Sequence, residues 1–127
     1  MKIEPLNRVE MRGRVGSHTI SLRDDGRWEG WFDLHVPTRD LNGIYQPFCY
    51  DCHVAEDGKN VKDLGAGIGG YIVNVWGRLV RYPKSDHDEY YIHVTRLAVV
   101  GGPQDELKVP DPPKTEQERR LEKGVLF

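Results

Sequence analysis

From Asn7 to Val15 apolar and polar positions alternate without a break: Val9, Met11, Gly13 and Val15 share one face, and Arg8, Glu10, Arg12 and Arg14 share the other. A period of two predicts a half-buried strand with a basic outer face. Gly13 and Gly16 would let it bend sharply, and it extends through His18 to Leu22, giving a first strand over 7–22. Asp24-Asp25-Gly26 is a turn signal, and alternation resumes at Trp28. In this second strand, 28–37, Phe32, Leu34 and Val36 lie together and Trp31, Asp33 and His35 lie opposite, so the two strands read as a hairpin.

A loop over 37–47 carries Asn42-Gly43 at its tip, and a third strand follows over 48–56. Residues 58–64 are polar and helix-like, and Gly65, Gly67, Gly69 and Gly70 end them. The run Tyr71 to Val80 is the strongest β-forming stretch of the chain and gives a fourth strand over 71–82. Pro83 to Asp88 turn the chain into a last strand over 89–100. Five strands with one short helix between the third and fourth predict an all-β chain of the OB-fold kind, a small five-stranded barrel. Val9, Met11, Phe32, Leu34, Val73, Val75, Val94 and Leu97 are its expected buried residues. A domain over 1–100 is then followed by a Pro-rich, charged tail over 101–127, in which Thr115-x-x-Glu118 could open a short helix.

Composition adds limits. With 127 residues, 38% of them hydrophobic, there is room for one core, and 14 glycines and 8 prolines favour strands and turns. The net charge of −2 divides evenly, 13 basic against 14 acidic residues over 1–100 and 5 against 6 beyond. Any nucleic-acid binding must therefore rest on a local basic patch rather than on overall charge. No apolar run approaches the roughly 18–20 residues that span a bilayer, and the opening MKIEPLNRVE lacks a signal peptide's apolar stretch. A cytoplasmic protein without a membrane partner is expected, with both cysteines as thiols.

Phe48-Cys49-Tyr50-Asp51-Cys52-His53 contains C-x-x-C-H, the spacing that holds haem c. In a strand, however, Cys49, Asp51 and His53 point one way and Tyr50, Cys52 and Val54 the other, so the two sulfurs diverge. A metal site that draws in His35 or His53 is the alternative, and a bulge would reopen it. The expectation is strand residues with no cofactor and no metal.

The motifs taken in order resemble one family. Asn7-Arg8-Val9-Glu10-Met11-Arg12-Gly13-Arg14-Val15-Gly16 is similar to the N-R-V-x-L-x-G-x-V-G opening of bacterial single-stranded DNA-binding proteins, and Phe32-Asp33-Leu34 to their second strand. Gly70 with Val73-x-Val75-x-Gly77-Arg78-Leu79 resembles their G-x-x-V-x-V-x-G-R-L segment, and Tyr90-Tyr91 through Val100 their closing strand. The resemblance covers roughly residues 5–100. It implies an OB-fold, a homodimer or homotetramer, and sequence-tolerant binding of single-stranded DNA in replication, recombination or repair, with other proteins of those processes as further partners.

Such binding needs cations for phosphates and aromatic faces for bases. The resemblance places Tyr50 at the third-strand tryptophan, Tyr82 near the late aromatic and Arg8 at a usual basic position. With them, Arg12, Arg14, Arg78 and Arg81 are candidate phosphate contacts, and Trp31 and Trp76 candidate stacking residues. The arginine row also reads as a solvated face, and the tryptophans also as core or interface residues. The sequence departs from the family at Asp40, Cys52 and Glu56, where aromatic or basic residues usually stand, which implies weaker and more salt-sensitive binding. Asp86-His87-Asp88-Glu89 sits at a hairpin tip, and Gly65 to Gly70 lack the lysine of a phosphate loop, so no enzyme is expected. The competing function is an OB-fold protein-interaction module that has lost nucleic-acid binding.

Overall fold

The computed structural model describes residues 1–26, 28–55, 67, 69–83, 89–112 and 114. Among them are six strands and no helix: β1 (Val9–His18), β2 (Ser21–Leu22), β3 (Trp28–Val36), β4 (Phe48–Val54), β5 (Ile72–Arg81) and β6 (Tyr90–Gly101). The helix expected over 58–64 and the one expected from Thr115 lie outside the described residues.

The strands pair in the order β1-β5-β6-β4-β3-β2, and β1 also pairs with β3, so five of them form a ring of pairings that returns to its start. All pairs are antiparallel except β4 with β6, which run parallel with Cys52 opposite Ile92 and His53 opposite His93. This order is consistent with an OB-fold.

Alternation sorts the side chains as the sequence predicts. Phe32, Leu34, Val73, Val75, Val94 and Leu97 are buried in one cluster with Val15, Cys52, Val54 and Ile92. Val9 and Met11, also expected inside, are half-buried and pack against its edge. Arg8, Glu10 and Arg12 are exposed on the other side of β1.

The strand expected over 7–22 is interrupted. Its pairing with β3 shifts register between Val15 and His18, the Thr19 amide donates to the Trp31 carbonyl at 2.8 Å, and Ile20 turns into the core. Only the short β2 continues beyond it. A second irregularity helps shape the outer surface: β6 has an extra residue opposite Trp76/Gly77, so Trp76 faces Arg96 while Gly77 faces Val94. A Cβ on Gly77 would run into the His93 carbonyl oxygen, so the close approach of β5 and β6 there requires glycine.

From Gly102 to Pro110 the chain stays in contact with the ring of strands. Arg14 donates from Nη1 to the Gly70 carbonyl at 2.7 Å and from Nη2 to the Asp105 carbonyl at 2.6 Å, and Arg39 Nε reaches the Pro110 carbonyl at 2.6 Å. The first part of the Pro-rich segment is thus fastened across β1 and the 37–47 loop. No helix among the described residues is long and apolar enough to cross a membrane.

Candidate functional site

Because β5 alternates without interruption, Asn74, Trp76, Arg78 and Val80 form one outer row, opposite the row that contains core-facing Val73 and Val75, and Tyr82 follows immediately after the strand. On β6 the outer positions are Tyr91 and His93, and across the parallel ladder β4 contributes His53 beside His93. On β3, Trp31 is the partner of His53. Three strands and the residue that follows β5 therefore deliver aromatic rings to one patch.

Trp31 lies at its centre. Its ring centroid is 5.9 Å from that of Tyr82 with planes only 15° apart, 5.0 Å from Tyr91 in an edge-on contact, and 4.8 Å from His53. Tyr82 and Tyr91 are 4.9 Å apart, and His53 stacks on His93 at 5.4 Å. The two histidines meet through their Nδ1 atoms at 3.2 Å, so one donates and the other accepts. The Trp31 side remains open to solvent at 38% exposure, although three rings hold it.

The charges around the patch are unevenly placed. Arg78 is exposed and stands opposite His93 on the β5 side. Further along that row the Arg96 guanidinium lies 4.4 Å over the Trp76 ring, and Arg12 donates from Nε to Asn74 Oδ1 at 2.6 Å. On the opposite flank are carboxylates: Tyr82 donates to Asp51 Oδ2 at 2.8 Å, Ser17 to Asp33 Oδ2 at 2.7 Å, and Glu29 pairs with Arg23 at 2.8 Å and with His53 at 3.5 Å. Partial burial, then the bond to Asp51 and its charge, push the Tyr82 phenol above its ordinary range, so it stays a neutral donor.

The two cysteines diverge. Cys52 is buried in the core and Cys49 is exposed. Burial, followed by the charges of Asp51, Cys49 and Asp33, drives the Cys52 thiol well up. The Cys49 thiol is also raised, first by burial and then by Asp33 and Asp51.

The structure brings together several of the residues singled out from sequence and separates others. Trp31 and Tyr82 stack, while Trp76 and Arg78 share the outer row of β5, and Arg12 joins that row through Asn74. Arg8 is exposed near the start of β1. Tyr50 instead lies on the inner side of β4, half-buried against the core with Cys52 and Val54. Arg14 is held by the Gly70 and Asp105 carbonyls, and Arg81 falls on the alternate row of β5. Asp40 accepts the Asn42 and Ile44 amides at 2.9 Å and so caps the turn that Gly43 makes at φ 83°. Glu56 lies outside the described residues. Tyr91, His93 and Arg96, and His53, which the sequence offers only as a metal ligand, also belong to this surface; the alternation of β6 carries Tyr91 and His93, but nothing local signals that β4 lies beside them.

No family model matches the sequence, and no curated protein matches it. Solved structures do. The fold is similar to Rim1, a mitochondrial single-stranded DNA-binding protein of S. cerevisiae, at TM-score 0.59 and 15% identity over 78% of this chain and 98% of that one. It is also similar to the Plasmodium falciparum SSB solved in complex with ssDNA, at TM-score 0.56 and 23% identity over 79% and 99% of the two chains. A third similar structure is the PriB protein of Ralstonia solanacearum, at TM-score 0.55 and 16% identity over 76% and 100%. The likeness is one of fold: the chain has the shape of an OB-fold similar to theirs.

Proposed function

We propose that this chain binds single-stranded DNA through the outer surface of β3, β4, β5 and β6, without strong sequence preference. One observation carries the reading: three aromatic residues far apart in sequence, Trp31 on β3, Tyr82 just after β5 and Tyr91 on β6, cluster on an exposed sheet surface rather than in the core. Every base has a π-face, so such a platform stacks bases regardless of sequence, and each stack contributes roughly 1–3 kcal/mol. Likeness of fold to proteins whose names describe single-stranded DNA binding supports the same reading.

The electrostatics give the strand a side. Asp33 and Asp51 would repel phosphates, so the backbone runs along β5, past Arg78 toward Arg96 and Arg12, while bases turn to Trp31, Tyr82 and Tyr91. His53 supports the platform through its contacts with Trp31 and Tyr91, and His93 stacks on His53. Arg14 acts as a fastener of the segment after Gly101, not as a phosphate contact.

The finer parts belong to the same proposal. The ring of pairings is an OB barrel over 1–100, and 101–127 is a tail whose first part is strapped to it. The protein is a cytoplasmic homodimer or homotetramer in DNA replication, recombination or repair, and it is not an enzyme. The test is a titration of fluorescein-labelled oligo-dT followed by anisotropy at several salt concentrations. Affinity should fall linearly on a log-log plot as salt rises, because phosphate contacts release counterions. Absence of binding at low salt sinks the proposal and leaves the protein-interaction module.

A further inference from the structure

Beyond the aromatic patch the outer rows of β3 and β4 change character. Where Trp31 faces His53, the next pair is Asp33 with Asp51 and the one after is His35 with Cys49. Cys49 Sγ lies 3.9 Å from His35 Nε2, and one ligand atom each from Asp33, His35 and Cys49 fall within 4.8 Å of one another. These are three different metal-binding chemistries, a carboxylate, an imidazole and a thiol, drawn from two adjacent strands.

Two features of β1 hold the group in place. Gly16 lies under the imidazole: a Cβ there would stand 2.5 Å from His35 Nε2 and 3.5 Å from the Asp33 Cβ, so only a bare backbone leaves His35 its position. Ser17 Oγ donates to Asp33 Oδ2 at 2.7 Å and so orients the carboxylate from behind, the kind of outer support that ligating carboxylates commonly have.

We propose that Asp33, His35 and Cys49 bind one zinc ion, with solvent at the fourth position. Around zinc, with bonds of about 2.0–2.3 Å, the ligand atoms of a tetrahedron stand about 3.3–3.6 Å apart. The pair at 3.9 Å is close to that spacing, and small side-chain rotations bring in the third ligand. A thiolate with an imidazole and a single carboxylate is a borderline-soft set that suits zinc; calcium and magnesium require six or more oxygens. On binding, the Cys49 S–H bond breaks, its proton leaves to solvent, and the sulfur electron pair bonds the metal. The site then carries two negative ligands against a 2+ ion and is neutral. Cys52, in the core, takes no part.

The proposal is independent of nucleic-acid binding, and its test uses none. The full chain, kept reduced and freed of metal by chelator, is titrated with Co²⁺, a spectroscopic stand-in for zinc. One ion per chain should bind, with a near-ultraviolet thiolate-to-cobalt charge-transfer band and intense visible bands of tetrahedral cobalt, all abolished by adding Zn²⁺. Cys49→Ser should remove the charge-transfer band, and His35→Gln should weaken binding about tenfold or more. Cys52→Ala should leave the spectrum unchanged. Lack of stoichiometric binding by the wild type overturns the proposal without any variant. So does a spectrum lacking the thiolate band, a band that survives Cys49→Ser, or an affinity indifferent to His35→Gln in protein whose circular dichroism is native.

Discussion

Replacing Trp31 by alanine should weaken DNA binding while leaving the protein folded. The indole touches three rings, at 5.9 Å on Tyr82, 5.0 Å on Tyr91 and 4.8 Å on His53, yet is 38% exposed. Its loss from the fold removes pairwise contacts of about 0.5–1.5 kcal/mol each on an open surface. It leaves no closed cavity of the kind that makes core truncations cost about 3–5 kcal/mol, so the loss of stability stays at the low end of what three such contacts sum to, about 1.5–2 kcal/mol. For the bound strand, losing one stack of roughly 1–3 kcal/mol raises Kd by about 5- to 150-fold. The loss extends further, because Tyr82 and Tyr91 no longer have the ring that aligns them. The assay is anisotropy of labelled oligo-dT, which needs no tryptophan signal, with urea melts run in parallel. The salt slope should stay near that of wild type, since no phosphate contact is removed. An alanine variant that is folded and binds oligo-dT within twofold of wild type refutes the aromatic platform.

Three further outcomes follow from the geometry. Tyr82→Phe should lower stability by about 1 kcal/mol, less than a buried bond to a charged group contributes, because Asp51 is exposed. The raised phenol gives a sign for pH: its stabilisation is complete below the ordinary tyrosine pKa of about 10 and is lost as pH rises beyond that, so wild-type melts should fall more steeply above pH ~10 than those of Tyr82→Phe. Gly77→Ala should destabilise by about 3 kcal/mol or abolish folding, since the methyl collides with the His93 carbonyl; thermal unfolding reads it, and a melt unchanged within ~0.5 kcal/mol contradicts the close approach. A thiol reagent at neutral pH should label Cys49 alone, more slowly than a free cysteine, and Cys52 only after denaturation; mass spectrometry of native protein with both labelled would place Cys52 outside the core.

Much of this architecture was legible in the chain because strands announce themselves by parity. The run from Val9 to Val15 assigns each side chain of β1 to a face, and the same rule sorts Phe32 and Leu34 from Trp31 and Asp33. Tyr50 shows the strength of that rule. Its motif position suggests a stacking residue, its parity groups it with Cys52 and Val54, and the structure follows parity. What local pattern does not carry is pairing between strands distant in sequence. The aromatic patch exists because β4 runs parallel to β6 across some forty intervening residues, which sets His53 against His93 and Trp31 against Tyr91. Register shifts are equally silent: the extra residue of β6 that lays Arg96 over Trp76 depends on how close two backbones can come. Arg14 reads as one more basic residue in its row, and only the carbonyls of Gly70 and Asp105 reveal it as a fastener.

The ring of pairings sets a timetable for the chain as it leaves the ribosome. The partners of β1 are β3, which follows at once, and β5, whose residues come some sixty positions later. Until β5 and β6 emerge, β1 and β4 each wait with one edge open, and the β1–β3–β4 meander resembles a sheet that a second nascent chain could extend. The alternation of Arg8, Glu10, Arg12 and Arg14 along β1 places charge beside that waiting edge, where it discourages the wrong strand without hindering the right one. Closure depends on contacts of long sequence separation, so the final step of folding is slow relative to hairpin formation, and it waits for β6 to emerge.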